Sequence, residues 1–448
     1  MRKTLYLLLF LPMLLNAQEN KPNYGITWSG FVKSDFFYDT RQVVSIREGH
    51  FLLYPAAESL DADKKDINAN PSLNFLSIQT RLAGKITGPD AFGAKTSGLI
   101  EADFFGNESA GLADLNGFRL RHGFAKLNWE KAELLFGQYW HPMFIPGCFS
   151  GVVSFNTGAP FQPFSRNPQM RYTYKMGAIS FMAAASMQRD FANTSGSIGI
   201  RNSATPDLHA QIYYNKKNDE AKTEFLAGVG FGYKILKPAL NTEVTTTAAY
   251  YSIDTTTMTA TYHSAVIKKY TTDQTVGGMM GTVYAKYQTE KFIVKLQGVY
   301  GQNISDLVMM GGYYAQNVID TAKNTVSYVP LNTGAGWLEF ETRGEKVQFG
   351  LWLGYSTNLG TSDSVTAIQG KIATAPARGA NINSLYRISP RIVFPSGKFK
   401  FALEAEYTTA GYATKNDLGE YNINANGQVT DSKDISNVRI LFAVIYSF

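Results

Sequence analysis

Asn437-Val-Arg-Ile-Leu-Phe-Ala-Val-Ile-Tyr-Ser-Phe448 ends the chain, and every second residue in it, from Val438 through Ile440, Phe442, Val444 and Tyr446 to Phe448, is apolar. The residues between them, Asn437, Arg439, Leu441, Ala443, Ile445 and Ser447, are mixed. A period of two is that of a β-strand, whose side chains point alternately to opposite faces, so one face here lies in lipid or in a core. One such strand fits a sandwich as well as a membrane wall. Similar runs occur near residues 24–39, 72–86, 96–106, 117–129, 131–141, 167–176, 178–190 and 205–215. They continue near 221–235, 275–289, 291–302, 332–343, 346–357, 380–394, 397–410 and 434–448, which makes sixteen. Most exceed the roughly 5 to 6 residues of a soluble strand and reach the ~9 to 11 that cross a bilayer at a tilt.

The connections sort by parity. Short links follow the even-numbered strands: Thr87 to Lys95, Glu130, Gly177, Lys216 to Glu220, Glu290, Gly344 with Glu345, and Pro395-Ser396. Longer ones follow odd-numbered strands, among them Thr40 to Pro71, Pro142 to Arg166, Leu236 to Gln274, Asn303 to Leu331 and Asn358 to Gly379. A soluble sandwich has no reason to sort its loops this way, whereas a membrane barrel does, with tight periplasmic turns and long extracellular loops. The sequence therefore predicts an all-β, transmembrane antiparallel barrel of sixteen strands, one domain over residues 18–448. A Thr- and Tyr-rich stretch, residues 241–273, reads as a surface hairpin extending strands nine and ten.

The 448 residues are 44% hydrophobic and 17% charged, with a mean hydropathy of -0.16. A polytopic helical membrane protein is excluded, because it needs repeated apolar runs of about 20 residues. A barrel wall is not, since its two faces average out. Residues 1–17 read as a signal peptide: Arg2 and Lys3, then apolar Leu5 to Leu15, then Ala17 as the small residue before cleavage. Without Arg2 and Lys3 the net charge of +6 falls by two. The single cysteine, Cys148, cannot form an internal disulfide.

Sixteen strands enclose a bore too wide for wall side chains to fill, so the polar face is expected to line water and the apolar face to meet lipid. In the sixth strand Met170, Tyr172, Tyr174 and Met176 alternate with Gln169, Arg171, Thr173 and Lys175. The second to fourth strands place Arg81 and Lys85, Glu101 and Asp103, and Arg119 and Arg121 on the inner wall. Counting through the link sets Arg81 opposite Glu101, with Asp103 near Arg119 and Glu101 near Arg121. This is an ion-paired ladder that holds the wall, a transverse field that favours anions, or both. Arg171 and Lys175 add cations without close acidic neighbours in sequence. His122, by parity with Phe118, Leu120 and Phe124, is expected to face outward.

The link between strands five and six, His141 to Ser165, has no formally charged residue and contains Pro142, Pro146, Pro160 and Pro163. An apolar, proline-stiffened loop is ill suited to a polar surface. Residues 142–166 are expected to fold into the bore as a constriction, with Phe144, Phe149, Phe155 and Arg166 its marked residues. Packing against a neighbouring subunit is the alternative.

Gln79-Thr-Arg-Leu-Ala-Gly-Lys85, Glu101-Ala-Asp-Phe-Phe-Gly106, Phe118-Arg-Leu-Arg-His-Gly-Phe124 and Leu135-Phe-Gly-Gln-Tyr-Trp140 together resemble the DcaP-like family of outer-membrane porins, over roughly residues 75–145. The resemblance implies a sixteen-stranded porin, usually a homotrimer, that passes small hydrophilic and often anionic solutes. Arg81, Glu101, Asp103, Arg119 and Arg121 would be its lumen residues. Phe448 looks like the closing aromatic read by the outer-membrane assembly machinery. Some members carry an N-terminal coiled coil, where this chain has a few polar residues.

The leading expectation is a passive diffusion channel with anion preference in the outer membrane of a Gram-negative bacterium, in contact with its lipid. No cofactor or metal is expected, because His50, His122, His141, His209 and His263 are scattered without ligand spacing. An enzyme is not expected; an adhesin or structural barrel is the alternative, with an outer-membrane hydrolase behind it. Basic residues do not interleave with aromatics on a short element, so nucleic acid is not a partner.

Overall fold

The structure, a computed structural model, describes residues 24–105, 117–365 and 377–448; the expected signal peptide lies outside them. Sixteen antiparallel strands close into a barrel. They are β1 (Gly25–Asp39), β2 (Arg81–Ala91), β3 (Ala94–Asp103), β4 (Arg119–Asn128), β5 (Ala132–Trp140), β6 (Arg166–Met176), β7 (Ile179–Ser186) and β8 (Asp207–Asn218). The second half is β9 (Thr223–Leu236), β10 (Val276–Gln288), β11 (Phe292–Gln302), β12 (Thr325–Thr342), β13 (Gln348–Thr361), β14 (Ile382–Ser396), β15 (Phe399–Ala413) and β16 (Ser432–Ser447). Each run predicted from the sequence overlaps one of them, with ends displaced by up to several residues. Three further strands from the long connections, Ser72–Leu76, Gly311–Asp320 and Ala377–Arg378, join the same sheet.

The seam runs from Phe31↔Ser447 to Asp39↔Arg439 between β1 and β16. Phe448 completes it by exchanging both backbone hydrogen bonds with Gly30, at 3.1 and 3.2 Å. Gly30 is required there, since a Cβ would lie 2.3 Å from the Arg81 carbonyl oxygen. The outward face is the apolar one: Val229, Phe231, Leu351, Phe401 and Phe442 remain 40–51% exposed, as a lipid-facing wall requires.

The loops, L1 to L8 in chain order, carry the long connections. Within L5 (residues 237–275), Asn241–Thr247 pairs with Val266–Thr271 and Tyr250–Asp254 with Thr259–His263, the hairpin expected from composition. The bore is not simply water-filled. Phe51, Leu53 and Tyr54 of L1 (residues 40–80) and Phe144, Phe155, Phe161 and Phe164 of L3 (141–165) form one buried apolar cluster with wall residues Trp337 and Trp352. A large part of the inner polar face therefore meets loops instead of water, which corrects the two-face expectation.

Candidate functional site

L3 leaves β5, crosses the bore and returns to β6, and wall side chains grip its backbone along the way. Gln297 on β11 donates to the Met143 carbonyl at 3.1 Å. Cys148 donates to the Ala285 carbonyl on β10 at 3.2 Å, and burial pushes its thiol up to about 11. The Gly151 amide donates to both Glu339 oxygens at 2.9 Å. Glu404 accepts from the amides of Val153 at 2.6 Å and Ser154 at 3.1 Å, and Lys33 donates to the Val153 carbonyl at 2.6 Å. Glu339 is itself held by Lys295 at 3.0 Å and Arg391 at 2.6 Å. Buried backbone amides need acceptors, and the wall supplies charged ones, which bind more strongly than neutral ones.

Opposite Gly151 to Ser154 lies the charged cluster of β2 to β4. Arg119 forks onto Asp103 at 2.8 and 3.1 Å. Arg121 bridges Glu101 at 2.6 Å and Asp103 at 2.9 Å. Arg81 makes no ion pair among the described residues; its guanidinium lies 5.2 Å from the Phe31 ring centroid. Arg81 pairs in register with Asp103, and Glu101 with Ala83. The expected Arg81–Glu101 register was two residues off, because the strands extend to a tight turn at Phe92-Gly93. A shift of two preserves the face, so these residues still point inward.

His122 overturns its expected outward placement. Glu101 pairs with His122 and Ala102 with Leu120, leaving Arg121 unpaired in a bulge. A bulge sets two residues against one and reverses the alternation beyond it. Arg121 and His122 are accordingly both buried, the imidazole lying against Tyr139 and Trp140.

A cavity of about 370 Å³ separates the cluster from L3, with Arg81, Arg121, Glu101 and His122 on one side and Phe149 and Gly151 to Ser154 on the other. A second, about 400 Å³, has Lys33, Arg343, Arg391 and Lys400 against one carboxylate, Glu341. A third, about 300 Å³, contains Lys126, Arg171 and Lys175 against Glu133. In each, cations outnumber carboxylates on the lining.

The remaining marked residues are dispersed. Lys85 is exposed. Arg171 donates to the Trp140 carbonyl at 2.7 Å. Phe144 and Phe155 are buried while Phe149 is 43% exposed. Arg166 is buried, its charge met by Asp190 of L4 (residues 187–206) at 2.6 Å. Asp190 also takes Arg119 at 3.4 Å and Arg47 at 3.8 Å. Burial works to raise the Asp190 carboxyl, but Arg166 and Arg119 outweigh it and hold it below the usual range.

Sequence reasoning missed the second inserted loop. Phe51–Pro55 of L1 is buried along its whole length. Arg439 donates to the Gly49 carbonyl at 2.9 Å, and His50 meets Asp35 at 2.7 Å. Burial lowers the His50 imidazole against the pull of Asp35. The signal was the one used for L3: Phe51-Leu-Leu-Tyr-Pro-Ala-Ala57 is an uncharged apolar run inside a long connection.

No protein-family model matches the sequence, and no curated protein matches it. Among solved structures, the outer membrane channel DcaP of Acinetobacter baumannii is similar with a TM-score of 0.60 and 15% identity, covering 95% of this chain and 97% of that one. OmpT of Vibrio cholerae follows at 0.48 and 11%, covering 95% and 98%. OmpF of Salmonella typhi gives 0.45 and 10%, covering 94% and 97%. The chain thus has the sixteen-stranded fold of an outer-membrane channel. In fold, the resemblance read from residues 75–145 extends along nearly the whole chain, to DcaP in particular.

Proposed function

We propose that the chain is a porin in the outer membrane of a Gram-negative bacterium, through which small hydrophilic solutes diffuse passively and anions pass more readily than cations. The lumenal charge carries this reading. Three cavities around L3 have more Lys and Arg than Asp and Glu on their linings, and a low-dielectric bore focuses such an excess into a field that concentrates anions. Within the cluster Asp103 and Glu101 offset much of the Arg119 and Arg121 charge. Arg81 lines the cavity without a carboxylate paired to it among the described residues.

Lys85, Arg171 and Lys175 extend the path toward the turns. L3, with Phe144, Phe149 and Phe155, narrows it, and no chemical step is involved. The protein works as a homotrimer that meets lipid on its other faces, and the assembly machinery reads Phe448. Planar-bilayer recording in a salt gradient tests the proposal: discrete conductance with a reversal potential on the anion side supports it. Absence of conductance, or cation preference, refutes it.

A further inference from the structure

Arg387 on β14 touches both loops that enter the bore. Its Nη2 donates to the carbonyls of Leu52 at 3.2 Å and Leu53 at 2.8 Å in L1. Its Nη1 donates to the Ala159 carbonyl of L3 at 3.0 Å. The Nε is fixed on Thr408 at 2.8 Å, and Glu406 lies 3.6 Å away as counter-charge. Glu406 in turn accepts from Asn156 of L3 at 2.5 Å.

The two loops also pack directly on each other. Phe51 meets Phe155 edge to face at 5.4 Å and Phe164 at 5.1 Å between ring centroids. His50 stacks on Phe155 at 5.4 Å. L1 is fixed to the wall at both ends of this contact, through Arg439 on the Gly49 carbonyl and the Tyr412 hydroxyl on the Pro55 carbonyl at 2.7 Å. L3 is therefore held by wall carboxylates at Gly151 to Ser154 and by L1 at Phe155 to Phe164.

We infer that L1 and L3 form one constriction body, and that Arg387 is the positioning residue that staples them and thereby sets the aperture between L3 and the Arg81 wall. The inference rests on the porin reading. Three carbonyls from two loops converge on one planar guanidinium. An ammonium is a point donor and cannot reproduce that fork, so charge and staple can be separated by substitution.

The test uses the full-length protein in planar bilayers and in liposome swelling with sugars of graded size, for wild type, Arg387→Lys, Arg387→Ala and Phe51→Ala. Heat-modifiable mobility on gels selects the variants whose barrels have closed. All three substitutions are expected to raise single-channel conductance and the size cutoff, with more open-channel noise. Arg387→Lys keeps the charge and Phe51→Ala does not touch it, so a shared effect reports the staple. If Arg387→Lys behaves as wild type while Arg387→Ala alone changes, charge and not position is at work and the inference fails. It also fails if the wild type conducts and every closed variant matches it. A wild type that does not conduct overturns the porin reading itself, and the inference with it.

Discussion

Glu339→Gln probes how firmly the wall holds the constriction. The carboxylate is fully buried and accepts from Gly151, Lys295 and Arg391. The amide is nearly isosteric, but it presents one acceptor and one donor group to three donors. Losing the charge-assisted bond to Gly151 costs about 2 kcal/mol, which by 1.36 kcal/mol per decade is roughly a 30-fold easier opening of the 150–154 segment. The barrel loses more, because Lys295 and Arg391 are left sharing Glu341, at 3.4 and 2.6 Å. Breaking a buried pair costs about 3 to 5 kcal/mol, and the surviving carboxylate puts this case near the lower end. Hydrogen exchange in detergent reads the first quantity: protection of peptides covering 150–154 should fall by about 1.5 decades, while strands on the opposite wall, β4 to β6, keep theirs. Urea unfolding reads the second. Unchanged protection at 150–154, or a loss spread evenly over all strands, would refute the idea that this carboxylate clamps the loop.

Arg81→Gln should move the reversal potential toward cations and leave stability within about 0.5 kcal/mol, since no carboxylate is orphaned. Arg121→Ala should move it the same way but cost about 1.5 to 3 kcal/mol, because buried Asp103 is left with Arg119 alone and Glu101 loses its bond to Arg121, so equal stability losses for the two would contradict the pairing. Asp190→Asn should release L4 from Arg47, Arg119 and Arg166, seen as faster proteolysis there. Because the Asp190 carboxyl is held below its ordinary 3.8 in the folded protein, its contribution is full above that pH and is lost as the pH falls through the lower folded value. Acid should therefore loosen L4 in the wild type and change nothing further in Asp190→Asn. Deleting Phe448 removes only the Gly30 pair at the end of a seam that keeps its register from Phe31↔Ser447 to Asp39↔Arg439. Lower yield in the outer membrane with unaltered unfolding of the assembled fraction is expected if the residue is read during assembly.

What was legible in the chain follows from the same physics. The outward face of each strand must satisfy lipid, so Phe399, Phe401 and Leu403 repeat without interruption and the strand is visible. The inward face answers to local partners, and there the reading failed at particular places. The bulge at Arg121 leaves no mark in Arg119-Leu-Arg-His-Gly-Phe124: both arginines share an inward parity with or without it, and only the face of His122 changes. The register of β2 and β3 depended on where a turn fell within Thr87 to Lys95, and the pattern there does not distinguish Phe92-Gly93 from its neighbours.

The larger miss concerned what a charge on the inner wall is for. Arg387, Arg439, Glu339 and Glu404 occupy inward positions just as Arg81 and Arg121 do, and their alternation with apolar residues is the same. The first four are spent on loop backbone: arginines on the carbonyls of L1, glutamates on the amides of L3. Desolvating such groups is costly, and they persist because a loop offers several bare backbone partners at once. The wall of β12 to β16 with β1 is thus a docking surface for loops, and under the proposed reading a charge there sets the size of the opening whereas a charge on β2 to β4 selects what passes. Periodicity locates both kinds. Only the path of the loops separates them, so selectivity and aperture should respond to different substitutions: reversal potential to Arg81, and conductance with noise to Arg387 and Glu339.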